Sequence, residues 1–308
     1  MADPAYQSHP VRVRVPATSA NLGPGFDALG LALDLCDEIE AAVAPAGVQV
    51  TVEGAGAGEV PLDEDHLLVR AMHAAFDHLG GRPPGLTVRC RNRIPHARGL
   101  GSSSAAIVAG ILLARALAVE AASDADFDVA AVLRLASSME GHPDNVAPCL
   151  LGGFTIAWTS EDGAHAVRLE PAPGLRPAVF VPSRRGLTEE ARGLLPERVP
   201  HADAAANAGR SALLVHALTS DPSLLLTATE DRLHQDYRAP AMEPSIALVR
   251  RLRAAGVPAV ISGAGPSVLA LPRPGEELTG FASAGFDMRE LAVSRDGAAV
   301  VPPHGESR

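Results

Sequence analysis

Arg98-Gly99-Leu100-Gly101-Ser102-Ser103-Ser104 runs without a break into Ala105-Ala106-Ile107-Val108-Ala109-Gly110-Ile111-Leu112-Leu113-Ala114. A glycine-hydroxyl turn thus opens into an almost wholly apolar segment. The glycines permit backbone angles closed to other residues and let a ligand approach the main chain. The serines offer caps for a helix beginning between Ser102 and Ser104. A helix start commonly carries Asp or Glu in its first turn, because its unpaired N–H groups sum to a partial positive charge. No acidic residue stands between Gly99 and Arg115, so that field is left open, and a phosphate is its natural occupant. A tight turn before a buried helix would also use a Gly-Ser pair, but two glycines, three hydroxyls and no acid favour an anion site. A helix terminus contributes about 0.3–2 kcal/mol toward an anion, whereas catalysed reactions need barriers lowered by about 8 kcal/mol or more. The turn can hold a phosphate but cannot activate it alone, and a metal ion with its carboxylate must come from elsewhere in the chain.

Composition narrows the alternatives. A chain of 308 residues suffices for one large domain or two intimate ones. Hydrophobic residues make up 47% and aromatics only 3%, so the core must be built mainly from Ala, Val, Leu and Ile. A formal net charge of −10 argues against non-specific binding to nucleic acid or anionic membranes. Cys36, Cys90 and Cys149 are odd in number, show no paired metal spacing and read as buried thiols in a reducing compartment. Met1-Ala2-Asp3-Pro4 has no basic-then-apolar signal. The longest apolar run carries serines and Arg115, so no membrane span is expected and the cytoplasm is the expected location. No lysine occurs; all 26 cationic side chains are arginine. That removes lysine Schiff-base chemistry and the P-loop, whose lysine reaches the terminal phosphates.

Along the chain, Val11–Pro16 alternates apolar and basic residues as a half-exposed strand. It feeds a loop, Ala17 to Gly30, rich in turn formers, in which Asn21 and Asp27 are either functional or plain Asx-turn residues. Val48–Val52 and Leu86–Cys90 read as strands, and His66–Leu79 and Asp126–Met139 as helices. The second helix ends in Glu140-Gly141-His142-Pro143-Asp144-Asn145, dense polar chemistry in an apolar neighbourhood. An acid at a helix C-terminus is mildly unfavourable, which a magnesium ligand role for Glu140 would explain. Gly152–Trp158 is a glycine-led strand, and the texture changes near residue 168. Beyond it come a strand at Ala178–Pro182 and helices at Thr188–Leu195, Ala202–Ala217 and Ile246–Ala255. Strands flank the glycine loop Ser262–Ser267, and the tail after Ala298 is expected to fray.

Three loops, Pro16 to Gly30, Pro95 to Ala106 and Ser262 to Ser267, together resemble the signature motifs of the GHMP small-molecule kinases. Ser19–Asp27, Glu140–Pro148 and Asp231–Arg238 resemble the homoserine kinase branch, and the match spans residues 11 to 271. The resemblance implies a two-domain α+β GHMP kinase fold. Its ribosomal-protein-S5-like N-terminal domain would take residues 1–168 and its ferredoxin-like C-terminal domain residues 169–308, with the active site in the cleft between them. It implies ATP and Mg2+, and phosphorylation of the side-chain hydroxyl of L-homoserine to O-phospho-L-homoserine in threonine biosynthesis. A homodimer is common in the family; no nucleic acid or membrane partner is implied.

Carried over residue by residue, Pro95, Arg98, Gly99, Leu100, Gly101, Ser102, Ser103, Ser104 and Ala105 would surround the nucleotide. His66 would stand near the adenine, at the position where the resemblance places an Asn in most relatives. The hydroxyl of Ser102 or Ser103 would lie near the metal, with Ser102 and Glu140 as its ligands. Asn21, Asp27, His142, Arg192, Arg238 and Gly263 would bind substrate, the two arginines as carboxylate forks. His142 would orient substrate as a neutral donor or be a satisfied structural histidine. Asn21, Glu140, Asn145 and Thr188 form the expected catalytic set. Asp144 is available as a base, but phosphoryl transfer through a loose transition state needs little base assistance, so alignment and charge neutralisation are expected to dominate. Three rival readings fit the chain less well. A hydrolase using Ser103, His142 and Asp144 lacks the Gly-x-Ser-x-Gly elbow. A silent ligand sensor would have lost the phosphate loop or Glu140. A mevalonate or amino-alcohol kinase fits the paired arginines and Asp27 less well than an amino-acid kinase does.

Overall fold

The alternation at the N-terminus becomes β1 (Val11–Ala20), which buries Val11, Val13 and Val15 and turns Arg12 and Arg14 outward. The computed structural model describes residues 5–119, 127–186, 188–281 and 285–302; the side chains of residues 188–190 are also outside the description. With β2 (Leu29–Val43), β3 (Gly47–Gly54), β4 (Gly85–Asn92), β5 (Phe154–Ser160) and β6 (Gly163–Leu169), β1 builds a mixed sheet. Its outer face is a lattice of opposite charges. Arg12 lies opposite Glu40 and Glu40 opposite Arg89, while Arg14 faces Glu38, Glu38 faces Arg91, and Arg91 faces Glu53. Cross-strand pairs of this kind are worth about 0.2–1 kcal/mol each, and they leave this face solvated. The apolar face takes the helices.

Those helices are α1 (Leu67–His78), α2 (Ser102–Leu117), α3 (Val129–Glu140) and α4 (Val146–Leu151). α2 begins at Ser102 with no acid in its first turn, and it is buried along nearly its whole length. The expected serine cap is not what the structure shows. Gly101 is the N-cap, left-handed at φ 71°, and no side chain caps the helix. The Gly101 carbonyl accepts from Ala105 N at 2.9 Å, which leaves the serine hydroxyls of the first turn for other contacts. α1 crosses α2 at Gly110, where a Cβ would collide with the Leu68 carbonyl and lie 2.8 Å from Ala71 Cβ. All three cysteines are buried free thiols. Burial pushes Cys36 up to about 11 and Cys90 up to about 12.

The second half contributes β7 (Ala178–Pro182), α5 (Thr188–Gly193), α6 (His201–Thr219), α7 (Leu225–Ala228), α8 (Gln235–Arg238), α9 (Glu243–Ala254), β8 (Ala259–Ile261), β9 (Val268–Ala270) and β10 (Phe286–Glu290). Its four-stranded antiparallel sheet runs β10-β7-β9-β8. Both faces of that sheet are buried. Phe180, Ile261 and Val268 pack with Ile246 and Leu252 of α9, while Val179, Val181 and Leu269 join the larger core with Leu214 and Leu218 of α6. The tail corrects an expectation: β11 (Ala299–Val301) is ordered against the free edge of β1, with Val13 opposite Val300. The first sheet's strands through β6 end at Leu169 and those of the second sheet begin at Ala178, while β11 returns to the first sheet.

Gly110→Ala gains about 1 kcal/mol of helix propensity, but its methyl group must push aside rigid backbone of α1, a cost of about 1–3 kcal/mol. A net loss of about 1 kcal/mol is expected in urea unfolding; a midpoint at or above that of the wild type contradicts the close crossing.

Candidate active site

The three loops singled out in the sequence are tied to one another by hydrogen bonds. Gly99 sits at φ 73° with no room for a Cβ, which would collide with the Ser262 carbonyl and lie 2.8 Å from that of Gly265. The Ser262 hydroxyl donates to the Gly99 carbonyl at 2.6 Å and lies 2.8 Å from the Ser19 hydroxyl. Ser267 N donates to the Arg98 carbonyl at 3.2 Å and Gly263 N to that of Ala20 at 3.1 Å. Asn21 donates its amide to the Gly263 carbonyl at 2.9 Å and accepts from Asp27 N at 2.9 Å. Asn21, Leu22 and Asp27 hold positive φ of 68°, 51° and 54°, a cost that a loop bears only when its surroundings fix it.

These loops floor a cleft of about 400 Å³. One part is apolar, with Ile39, Leu67, Leu68 and Cys90; Gly99, Gly101, Ser102 and Ser103 lie along it; another part holds Glu140, His142, Asp144, Arg192 and Arg238. Ser103 donates to Glu140 at 2.6 Å, placing a carboxylate beside the acid-free start of α2. Among the described residues no group of three or more His, Cys, Asp or Glu gathers as a metal cage. Mg2+ does not require one, because it keeps several waters and takes one or two carboxylates with substrate phosphates. The hard oxygens of Glu140 and Ser103 fit that demand; Ser102 lines the cleft as well.

Asp144 is buried and lies 2.6 Å from His142 Nδ1. Burial by itself lowers the His142 pKa, but the hydrogen bond and charge of Asp144, with the charge of Glu140, outweigh it and the net shift is upward. Arg192 clasps Asp27 through two bonds of 2.7 and 3.2 Å. Arg238 is 1% exposed. It donates to the Ala191 carbonyl at 3.2 Å and to His234 Nδ1 at 3.3 Å. Its pKa is depressed, first by burial and then by the charge of Arg192. Among the described residues no carboxylate forms an ion pair with it. Phe26 lies between these groups, stacked on His234 at 5.1 Å with the Arg238 and Arg192 guanidiniums 5.3 and 5.8 Å from its centroid. His234 is wholly buried, its pKa lowered by burial, and its Nε2–H donates to the Gly23 carbonyl at 2.8 Å.

Several expected residues are engaged by the protein itself, although His66, Arg98, Asn145 and Gly263 all line the cleft. Leu100, Ser104 and Ala105 are buried beneath the loop and only their backbone can reach a ligand; among the described residues the Ser104 hydroxyl has no partner. Pro95 lines a neighbouring groove. Arg98 spends its guanidinium on the carbonyls of His96, Ser183 and Pro182 at 2.5, 2.6 and 2.9 Å, so it braces the loop against the end of β7. Asn145 accepts from Thr18 at 2.8 Å, directly under Gly101. His66 caps α1, its Nδ1 accepting from Leu68 N at 3.2 Å. Burial lowers its pKa, so the remaining ring nitrogen carries the proton as a donor. The Gly263 carbonyl serves Asn21, and the Thr188 side chain lies outside the described residues. His234 and the bracing role of Arg98 were not foreseen.

The family model for the GHMP kinases N terminal domain matches residues 66–153, from the cap of α1 through the phosphate loop and Glu140. A homoserine kinase from Streptomyces avermitilis is 59% identical over 304 residues, 98% of this chain and 99% of the other. One from Streptomyces coelicolor is 58% identical over 304 residues, 98% of each chain. The chain belongs to the homoserine kinase family. A solved homoserine kinase structure from Cytophaga hutchinsonii superposes with a TM-score of 0.82 at 27% identity, covering 98% of this chain and 100% of that one. The α+β GHMP kinase fold expected from the three motifs is therefore the fold present. Among the described residues no helix is long and apolar enough to cross a membrane.

Asp144→Asn removes the charge that, with its hydrogen bond, raises the His142 pKa. Burial and Arg192 then act against Glu140 alone, and the His142 pKa is expected to fall relative to the wild type in an NMR titration. An unchanged or higher value contradicts the pairing.

Proposed function

We propose that this homoserine kinase family member transfers the γ-phosphoryl group of ATP, with Mg2+, to the side-chain hydroxyl of L-homoserine. The product is O-phospho-L-homoserine, an intermediate of threonine biosynthesis. The observation that carries the substrate reading is the buried Arg238 guanidinium, turned toward the cleft beside Arg192 without a carboxylate of its own. A guanidinium pairs bidentately with a carboxylate, and a buried charge of this kind calls for an anion. Asp27 and Arg192 neutralise one another in the ligand-free protein. An amino-acid zwitterion brings an ammonium for Asp27 and a carboxylate for the arginines, so it exchanges one ion pair for two.

The amides from Gly101 to Ser103 would hold the phosphates at the start of α2, with Glu140 and Ser103 holding the metal. The metal supplies neutralisation of the charge that develops between the phosphates. His142, fixed by Asp144, orients the acceptor, and Asn21 faces the same cleft beside the Gly263 carbonyl. Asp144 Oδ1 is engaged by His142, and because a loose transition state needs little base assistance, alignment and neutralisation carry the reaction. A cytoplasmic location and a homodimer belong to the same proposal; the family resemblance supports them.

A coupled ADP-release assay across homoserine, mevalonate, threonine and galactose is expected to show turnover selective for homoserine. Selective turnover of mevalonate would remove the substrate assignment while sparing the kinase assignment. Glu140→Ala is expected to lose most activity, and Asp144→Asn less than about 10-fold, where loss of a general base costs about 10²–10⁴-fold. Equal collapse in both variants contradicts a mechanism without a base.

A further inference from the structure

Asp37, on β2, has no part in the site as described so far. It is 6% exposed, yet it lines the cleft. Its Oδ1 accepts from Arg93 N at 2.6 Å and Ile94 N at 2.8 Å, which pins the carboxylate to the backbone entering the phosphate loop. Its Oδ2 receives no hydrogen bond from the described residues. That oxygen is also absent from the fully enclosed orphan atoms, which are the hydroxyls of Ser104, Ser137 and Ser267. Ile39, two residues along the same strand, turns to the same face and, with Leu68 and Cys90, adds apolar side chains to a lining that also holds His66 and Asn92. A carboxylate oxygen held rigid among apolar side chains, open to a cavity and unpaired, is costly to keep. A ligand that donates a hydrogen bond there repays it.

The phosphate loop fixes which part of a nucleotide reaches this point. With the phosphates at Gly101–Ser103, a purine ring has the apolar part of the cleft to enter. We infer that Asp37 reads the exocyclic 6-amino group of adenine and thereby selects ATP over GTP. Guanine presents a carbonyl oxygen at that position, so acceptor would face acceptor. Two further observations agree. Burial raises the Asp37 pKa to about 6 even though the Ile94 and Arg93 amides and the Arg93 charge pull it down, so the charged form is under-solvated and gains from the donor that the amino group would supply. His66 in the same cleft presents a ring N–H, a donor suited to a ring nitrogen of adenine and unsuited to the N1–H of guanine. The inference rests on nucleotide binding as proposed above.

The test begins with the protein as it is. Calorimetric titration with ATP, purine riboside triphosphate (which lacks only the 6-amino group), GTP and 2′-deoxy-ATP separates the contacts. Loss of the amino group is expected to weaken binding about 10- to 100-fold, GTP to bind weaker still, and 2′-deoxy-ATP to bind within about 3-fold of ATP. Asp37→Asn keeps an oxygen for Arg93 and Ile94 but turns a donor toward the base. The ATP-to-GTP preference of that variant is expected to fall at least about 10-fold. Equal binding of ATP and purine riboside triphosphate overturns the inference, as does an unchanged preference in a folded Asp37→Asn or a loss confined to 2′-deoxy-ATP, which would assign Asp37 to the sugar. If Asp37→Asn does not fold, the wild-type series decides alone. Failure of every nucleotide to bind would overturn the kinase reading itself, a different outcome from indifference to the amino group.

Discussion

The Gly99 carbonyl is held by a serine hydroxyl 163 residues further along the chain, and the site depends on that contact. Ser262 can reach it only because Gly99 has no side chain; a Cβ there would collide with the carbonyl of Ser262 itself. The same hydroxyl lies against Ser19 at the end of β1. One polar atom thus locks a loop from each of the three motif regions, and Gly263 and Ser267 add backbone bonds on either side. With its carbonyl engaged behind it, the turn is fixed in the conformation that opens α2. A preorganised set of N–H donors costs nothing to reorganise when a phosphate arrives.

Around that cradle the charges are arranged so that each lacks or shares a partner. Among the described residues Glu140 has a single hydrogen-bond partner, the Ser103 hydroxyl, Asp27 and Arg192 have each other, and Arg238 has a neutral histidine and a carbonyl. Phe26 gives the two guanidiniums an aromatic surface. His234 holds this group in place by donating to Gly23 and accepting from Arg238.

The sequence made the site legible wherever the chemistry is local. Gly99 and Gly101 do take left-handed angles, the first turn of α2 is free of acid, and Glu140 does stand at the end of α3. Ala178–Pro182 and the Ser262–Ser267 loop fell where alternation and glycine placed them. What depends on distant partners was not legible. Arg98 resembles a phosphate ligand in sequence, but its acceptors, Pro182 and Ser183, lie 84 and 85 residues away. Ala299–Val301 has no strand signal of its own and is ordered only by the open edge of β1. Gly101 took the capping position because its left-handed backbone suits the turn and Thr18 and Asn145 fill the space beside it, leaving none for a side chain. Asp37 lies in an ordinary alternating strand, and nothing in its neighbours reveals that its face becomes the floor of a cleft.

A crystal structure of the protein with ATP and Mg2+ tests the interlocked cradle most directly. The triphosphate is predicted to lie against the backbone amides of Gly101, Ser102 and Ser103, with the metal beside Glu140. A nucleotide ordered at another surface, with the Gly99–Ser103 amides unengaged, would contradict it.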